Sequence, residues 1–252
     1  MSALLNYKLE GSGETVVLIH GLFGSLDNLG LLARDLKNDH QVLSLDLRNH
    51  GLSFHSDEHN YALMAQDVNQ LLEHLNLTSV VVIGHSMGGK VAMKLADIAA
   101  EKVRQLVVLD MSPVAYSQRR HDNVFAGLEA VLVQKPTSRS EVMAILAQHI
   151  EQEGVRQFLG KSLMSEQNVM TWRFNAHYAE ILGWDIIAKC RIPTLFIKGA
   201  DSDYLTTQHQ PMVQAQFSQA KAHVIANTGH WLHAEKPAEV IRAIRKFIDV
   251  PV

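Results

Sequence analysis

A serine between glycines is the most informative feature of this chain. Gly84-His85-Ser86-Met87-Gly88-Gly89 contains the pattern Gly-x-Ser-x-Gly. The apolar, β-branched run 80–83 precedes it, and the segment 90–96, with helical spacing of apolar residues, follows it. A strand that turns sharply into a helix needs small residues and lifts the serine hydroxyl clear of the sheet. The pattern predicts Ser86 as a nucleophile for acyl transfer, beside the positive end of a helix.

A serine hydroxyl needs a base before it can attack a carbonyl carbon at neutral pH. The chain has 14 histidines, so their positions must distinguish them. In an open parallel sheet, ligands bind beyond the carboxyl ends of the strands, and the base is expected in a loop directly after a strand. His230 meets this requirement, because it follows the strand-like run 223–225 on a glycine-containing turn. We predict His230 as the general base and interpret His85 as a packed residue of the serine turn.

The elements that must position these residues alternate between strand-like and helix-like patterns. Strands are predicted at 4–9, 16–19, 42–45, 80–83, 103–109, 194–198 and 223–225. Helices are predicted at 28–36, at 61–75, after the serine turn, near 212–217 and at 238–248. This alternation favours an α/β fold, with a mostly parallel sheet and helices on both faces.

The region between the two alternating blocks has a different pattern. It is helical only, with helices predicted at 124–133, 140–152, 155–163 and 172–184. We therefore predict a core of residues 1–113 and 188–252 and a helical lid of residues 114–187.

Composition excludes several classes of partner. The 252 residues suffice for one large core, and the net charge of −3, with both signs interspersed, provides no basic face for nucleic acid or an anionic membrane. No apolar run is long enough to span a bilayer, and the first residues do not resemble an export signal. The single cysteine, Cys190, cannot form an internal disulfide. We expect a cytoplasmic protein, and the sequence does not indicate an oligomeric state.

Motifs for cofactors and metals are missing from the sequence. His50, His55 and His59 do not form the His-Glu-x-x-His pattern of a helical zinc site. The chain contains neither a Walker loop nor a Gly-x-Gly-x-x-Gly turn. We therefore expect that neither a metal nor a cofactor takes part.

Four motifs of this chain, taken together, resemble the motifs of one protein family. They are His20-Gly21-Leu22-Phe23-Gly24-Ser25, Asp46-Leu47-Arg48-Asn49-His50-Gly51-Leu52-Ser53, the serine turn and Gly229-His230-Trp231. Through them, nearly the whole chain resembles the serine esterases of the α/β-hydrolase superfamily, in particular the bacterial YbfF-type esterases. The resemblance implies an α/β-hydrolase fold with a helical lid inserted between the sixth and seventh strands. It also implies that the backbone amides of Leu22 and Met87 bind the oxyanion.

The acid of a serine-histidine-acid triad is less clear from the sequence. The common pattern of this family places an aspartate fourth in Gly-x-x-Asp, where this chain has Ser202. Asp201 and Asp203 flank that position, although neighbouring residues at a strand exit point in different directions. Asp110 ends a buried apolar strand, where a carboxylate needs a partner such as a histidine N–H. We predict Asp110 as the acid and keep Asp201 and Asp203 as alternatives.

Four residues near these positions are candidates for substrate binding: Phe23, Arg120, Tyr204 and Trp231. Apolar residues of the lid either line an acyl channel or pack the lid itself. The expected function is a cofactor-free serine carboxylesterase that cleaves small to medium acyl esters through an acyl-enzyme. An acyl-CoA or other acyl thioesterase is the alternative. A carbon–carbon hydrolase or lyase and a non-catalytic binding protein on the same fold are further alternatives.

Overall fold

The computed structural model describes residues 3–117, 121–176, 181 and 183–249. Its strands are β1 (Tyr7–Gly11), β2 (Thr15–Ile19), β3 (Gln41–Leu45), β4 (Val80–His85), β5 (Val103–Leu109), β6 (Leu163–Glu166), β7 (Val169–Trp172), β8 (Thr194–Gly199) and β9 (Ala220–Ile225). Its α-helices are α1 (Gly30–Leu36), α2 (Tyr61–His74), α3 (Met87–Ile98), α4 (Asp122–Gln134), α5 (Arg139–Ala147), α6 (Glu153–Gly160), α7 (Gln210–Gln216), α8 (Leu232–Glu235) and α9 (Pro237–Ile248). None of these helices is long and apolar enough to cross a membrane.

Seven strands form one sheet in the order β1-β3-β2-β4-β5-β8-β9. Every neighbouring pair is parallel except β1 with β3. Successive side chains of a strand point to opposite faces of the sheet, so they pack in different cores. Val17 and Ile19 pack in a core with residues of α2 and α3, whereas Val16 and Leu18 pack in a second core with residues of α1 and α9. The predicted mostly parallel sheet with helices on both faces is confirmed.

The carboxyl ends of the central strands are held in register at one edge of the sheet. The Ser86 N–H donates to the Leu109 carbonyl at 3.0 Å, and the Asp110 N–H donates to the Ile197 carbonyl at 2.8 Å. Both bonds extend the ladder one residue past the strands. The first residues after β4 and β5 are therefore placed side by side at this edge.

The segment between β5 and β8 carries α4, α5, α6 and a small antiparallel hairpin of β6 and β7. Its buried side chains form a third apolar cluster, which also includes Phe23. Counted along the seven described strands of the sheet, the insertion joins the fifth, β5, to the sixth, β8, where the resemblance implied a place between the sixth and seventh.

The spacing predicted only helices in the insertion, but the structure also has the hairpin of β6 and β7 there. Helix α6 ends at Gly160, and residues predicted as helix from 172 onward begin with the end of strand β7. The hairpin turns at Gln167 and Asn168, whose φ values are +49° and +65°. Positive φ at both central residues is the geometry of a two-residue turn that matches the twist of paired strands. This turn favours the hairpin over the predicted helices.

Candidate active site

Ser86 lies at a sharp turn between β4 and α3. Its φ of +55° and ψ of −121° are strained for a residue other than glycine. A Cβ on Gly84 would lie 2.1 Å from the Gly88 carbonyl oxygen, and a Cβ on Gly88 would lie 2.3 Å from the Ile19 carbonyl oxygen. Only glycine fits at both positions because the obstructing atoms are backbone atoms. The turn thus places Ser86 at the N-terminus of α3, where it lines a cavity.

His230 links Ser86 to Asp110. Its Nε2 lies 2.8 Å from the Ser86 Oγ, and its Nδ1 lies 2.7 Å from the Asp110 Oδ2. Because a carboxylate can only accept, Nδ1 carries the proton and the Nε2 lone pair faces the serine hydroxyl. Asp110 is fully buried. This geometry allows His230 to take the serine proton and Asp110 to stabilise the imidazolium that results.

The structure brings Asp110, rather than either alternative aspartate, to His230. Both ring nitrogens of His230 are occupied, by Asp110 and by Ser86. Asp201 and Asp203 are exposed. Between them, Ser202 is buried and its hydroxyl donates to the Asp110 Oδ2. The serine at the position of the common family acid therefore hydrogen-bonds to the candidate acid, which follows the neighbouring strand β5.

Two histidines that the sequence did not assign hold the loop after β2. The Phe23 N–H donates to His50 Nε2 at 3.2 Å, and His50 Nδ1–H donates to the Arg48 carbonyl at 2.9 Å. His20 Nδ1–H donates to the Gly21 carbonyl at 2.7 Å. These bonds fix a loop in which Phe23 has a φ of +62°. A buried histidine within the motif Arg48-Asn49-His50-Gly51 was the available signal, but its partner could not be read from spacing.

Leu22 of this loop and Met87 at the start of α3 both line a cavity at Ser86. The two residues expected to provide the oxyanion amides therefore lie beside Ser86, one in the loop after β2 and the other at the start of α3. Backbone N–H groups at such a site stabilise a developing oxyanion because they need no reorganisation when the charge forms.

Comparison with known proteins identifies the family. A protein-family model described as "PGAP1-like alpha/beta domain" matches residues 10–183 of this chain. The chain is 47% identical over 243 residues to "Esterase YbfF" of Escherichia coli (strain K12), with 94% of each chain covered. It belongs to the esterases of the α/β-hydrolase superfamily.

Two further relatives of this esterase agree with that assignment. The "sn-1-specific diacylglycerol lipase ABHD11" of Mus musculus is 35% identical over 260 residues, which cover 97% of this chain and 85% of the relative. A solved structure titled "Marine microorganism esterase" superposes with a TM-score of 0.91 at 35% identity and covers 98% of this chain and 100% of its own. The resemblance inferred from the motifs and the α/β-hydrolase fold are confirmed.

Three buried histidines of this esterase are neutral in the folded state. Burial lowers the pKa of His85 and of His50 well below the ordinary value of 6.5, and lowers that of His233 to about 3. Neutral His85 donates from Nε2–H to the His230 carbonyl at 2.9 Å. None of these three rings therefore adds a positive charge to the site.

The predicted substrate-binding residues of the esterase have different environments. Phe23 is buried against Phe125 and Phe174 and lines the cavity at Ser86, as does Trp231, whose ring lies edge-on to His230 at 5.6 Å. Tyr204 also contacts the candidate base, because its buried ring stacks on His230 with the ring centroids 3.9 Å apart and an interplanar angle of 20°. Arg120 lies outside the described residues.

Among the described residues, no group of three histidine, cysteine or acidic side chains is arranged to hold a metal ion. His50, the histidine of the Asp46–Ser53 motif, instead makes backbone hydrogen bonds and ring contacts. It packs against His20 and His59, with ring centroids 5.1 and 6.2 Å apart.

Proposed function

We propose that this esterase cleaves small to medium acyl esters through a covalent acyl-enzyme on Ser86, with His230 as the base and Asp110 as the acid. The observation that carries the proposal is the continuous chain of hydrogen bonds from the Ser86 hydroxyl through His230 to the buried Asp110 carboxylate. The same arrangement of nucleophile, base and acid performs acyl transfer on unrelated folds, so this geometry supports acyl transfer independently of family membership.

Acylation begins when His230 Nε2 takes the proton of Ser86 Oγ. The oxygen attacks the ester carbonyl carbon, a carbon–oxygen bond forms and the carbonyl π electrons move to oxygen. The N–H groups of Leu22 and Met87 bind that oxyanion, and each such donor contributes about 10²–10³-fold to kcat. Asp110 keeps Nδ1 protonated and stabilises the imidazolium.

The tetrahedral intermediate then breaks its bond to the alcohol oxygen. His230 donates its Nε2 proton to that oxygen, the alcohol leaves and the acyl group stays on Ser86. Water enters, gives a proton to His230 and attacks the acyl carbon, after which His230 returns the proton to Ser86 Oγ. The products are a carboxylic acid and an alcohol, and His230 acts as base and acid in each half-reaction.

The lining of the space at Ser86 supports small to medium acyl esters as substrates. Two cavities open there, and both are lined mainly by apolar and aromatic side chains. Small-molecule sites of this kind bind a mainly apolar ligand and use few polar groups for orientation.

We further propose a cytoplasmic location, which the single free and buried Cys190 supports.

Hydrolysis of a p-nitrophenyl ester by Ser86→Ala tests the proposal. The variant removes the nucleophile but little packing, so we expect kcat to fall by about 10⁴–10⁶-fold without loss of the fold. Ser79→Ala is the matched control, because this exposed serine precedes the other end of β4. It should stay within twofold of the parent. A Ser86→Ala protein that keeps kcat within tenfold of the parent contradicts the serine mechanism.

A further inference from the structure

Ser86 stands between two cavities with different linings. The lid-side cavity is lined by His230, Trp231 and apolar residues of α4 and α6, namely Val124, Val155, Phe158 and Leu159. The core-side cavity is lined by Met87, Met111, Ile181 and three tyrosines, Tyr61, Tyr116 and Tyr204. Of the described lining residues, the two cavities share Leu22, Ser86 and His121. An ester carbonyl on Ser86 therefore has one cavity available for each of its two substituents.

The proton route decides which substituent occupies which cavity. The leaving alcohol oxygen must come within hydrogen-bond reach of His230 Nε2, which returns the proton. His230 lines the lid-side cavity, whereas Met87, which carries an oxyanion amide, lines the core-side cavity. We propose that the alcohol part of the ester binds in the lid-side cavity and the acyl part in the core-side cavity. This assignment rests on the proposed triad.

The core-side cavity fits a short, uncharged acyl chain. The Tyr61 hydroxyl donates to the Ile181 carbonyl at 3.1 Å, and the Tyr116 hydroxyl donates to the Tyr204 carbonyl at 2.7 Å. With these hydroxyls engaged, the tyrosines present ring surface to the cavity. Two of the rings also contact the buried Lys90, whose Nζ lies 5.4 Å from the Tyr61 ring centre and 4.7 Å from that of Tyr116. A rigid wall of this kind limits acyl length sharply.

The lid-side cavity fits an apolar alcohol, and the side chains that line it are less tightly packed than those of the core-side cavity. Val155 and Phe158 are only half-buried and lie on α6, a helix of eight residues within the insertion. The Phe158 ring approaches Trp231 at 6.4 Å between centroids. Because half-buried side chains form much of this wall, alcohols of several lengths are accommodated with little discrimination. The esterase is thus selective for the acyl part and tolerant of the alcohol part.

A grid of esters tests the assignment. One series varies the acyl chain from acetyl to octanoyl with a constant alcohol, and the other varies the alcohol from methyl to octyl with a constant acyl group. For the parent protein we expect a steep fall of kcat/KM along the acyl series beyond a short optimum. The alcohol series should stay nearly flat.

Substitutions at the two walls should move one series each. Met111→Ala lengthens the core-side cavity and should raise kcat/KM for the longer acyl chains by about tenfold or more, in line with the 10–200-fold effect of one methylene in an apolar pocket. Val155→Phe fills the lid-side cavity and should lower kcat/KM for the longer alcohols by a similar factor. Each variant should leave the other series within twofold. Val133→Ala, an exposed position on α4, is the control and should change neither series.

Crossed results would overturn the assignment: Met111→Ala changing the alcohol series, or Val155→Phe changing the acyl series. Unchanged profiles in both folded variants would overturn it as well. If Met111→Ala does not fold, Met111→Val removes less side-chain volume and should shift the acyl series alone, in the same direction and by a smaller factor. Activity of Ser86→Ala in the same grid separates the two proposals. Loss of activity there with crossed profiles refutes the subsites only, whereas retained activity refutes the triad.

Discussion

Replacing Asp110 by asparagine removes the charge of the proposed acid and one of its two acceptor oxygens. In the structure, Oδ1 accepts the Gly199 N–H at 3.0 Å, and Oδ2 accepts the His230 Nδ1–H at 2.7 Å and the Ser202 hydroxyl. All three partners are donors, and the site is fully buried. Asp110 has a φ of +51°, a conformation that asparagine tolerates, so Asp110→Asn changes the chemistry with little change of the backbone.

Neither orientation of the new amide restores the site. If the amide nitrogen replaces Oδ2, it faces His230 Nδ1 and forces the proton onto Nε2, so that His230 can no longer accept from Ser86. If the nitrogen replaces Oδ1, it faces the Gly199 N–H, and unsatisfied buried donors cost about 1–3 kcal/mol each. The charge that stabilises the imidazolium is lost in both cases. We expect kcat to fall by about 10³–10⁴-fold, which corresponds to about 4–5.5 kcal/mol of activation free energy.

The assay is kcat on one p-nitrophenyl ester, with circular dichroism to show that each variant is folded. Asp201→Asn and Asp203→Asn are the matched controls, since both carboxylates are exposed and solvent screens their charge. Each should cost less than tenfold. The assignment of the acid is refuted if Asp110→Asn stays within tenfold of the parent, or if one of the controls is the inactive variant.

Three further predictions follow from the same structure. His230→Ala should lower kcat about as much as Ser86→Ala, and the double variant should be no worse than either single one, because the two groups act as a unit; additive losses in the double variant would contradict this. Gly84→Ala forces a Cβ against a backbone oxygen and should lower the unfolding free energy by about 1–3 kcal/mol in urea titrations, whereas Gly30→Ala, which has open space, should not lower it. His233 is neutral when folded, with its pKa lowered by burial to about 3 from 6.5, so the unfolded state takes up its proton as pH falls below 6.5. Protonation of His233 in the unfolded state should therefore lower the free energy of unfolding by about 2 kcal/mol at pH 5 relative to pH 7. His233→Phe should remove that loss, and an equal pH dependence in both proteins would contradict the assignment.

The parts of the site that leave a mark on the residue types of a single turn or strand were predictable from the sequence. The glycines around Ser86 are required by contacts with Gly88 and Ile19, and such close approaches leave a readable pattern. Burial at the end of β5 likewise identified the carboxylate that the structure brings to His230.

The parts that depend on long-range contacts were not predictable. Tyr204 lies 26 residues from His230 in sequence, and nothing in its neighbourhood indicates that the rings stack. The hydrogen bond from Phe23 to His50 and the role of Ser202 as a donor to Asp110 also join separate loops. The insertion was misread because a turn of glutamine and asparagine at 167–168 is a weaker hairpin signal than asparagine followed by glycine.

Covalent labelling with a fluorophosphonate tests the central claim most directly. The reagent transfers its phosphonyl group to an activated serine oxygen with loss of fluoride, and intact mass followed by peptide mapping locates the adduct. We predict one adduct per chain, on the peptide that contains Ser86, no adduct in Ser86→Ala, and labelling slowed by about 10³-fold or more in His230→Ala, since the base activates the nucleophile. An adduct on another residue, or equal labelling of Ser86→Ala and the parent, would contradict the proposed nucleophile.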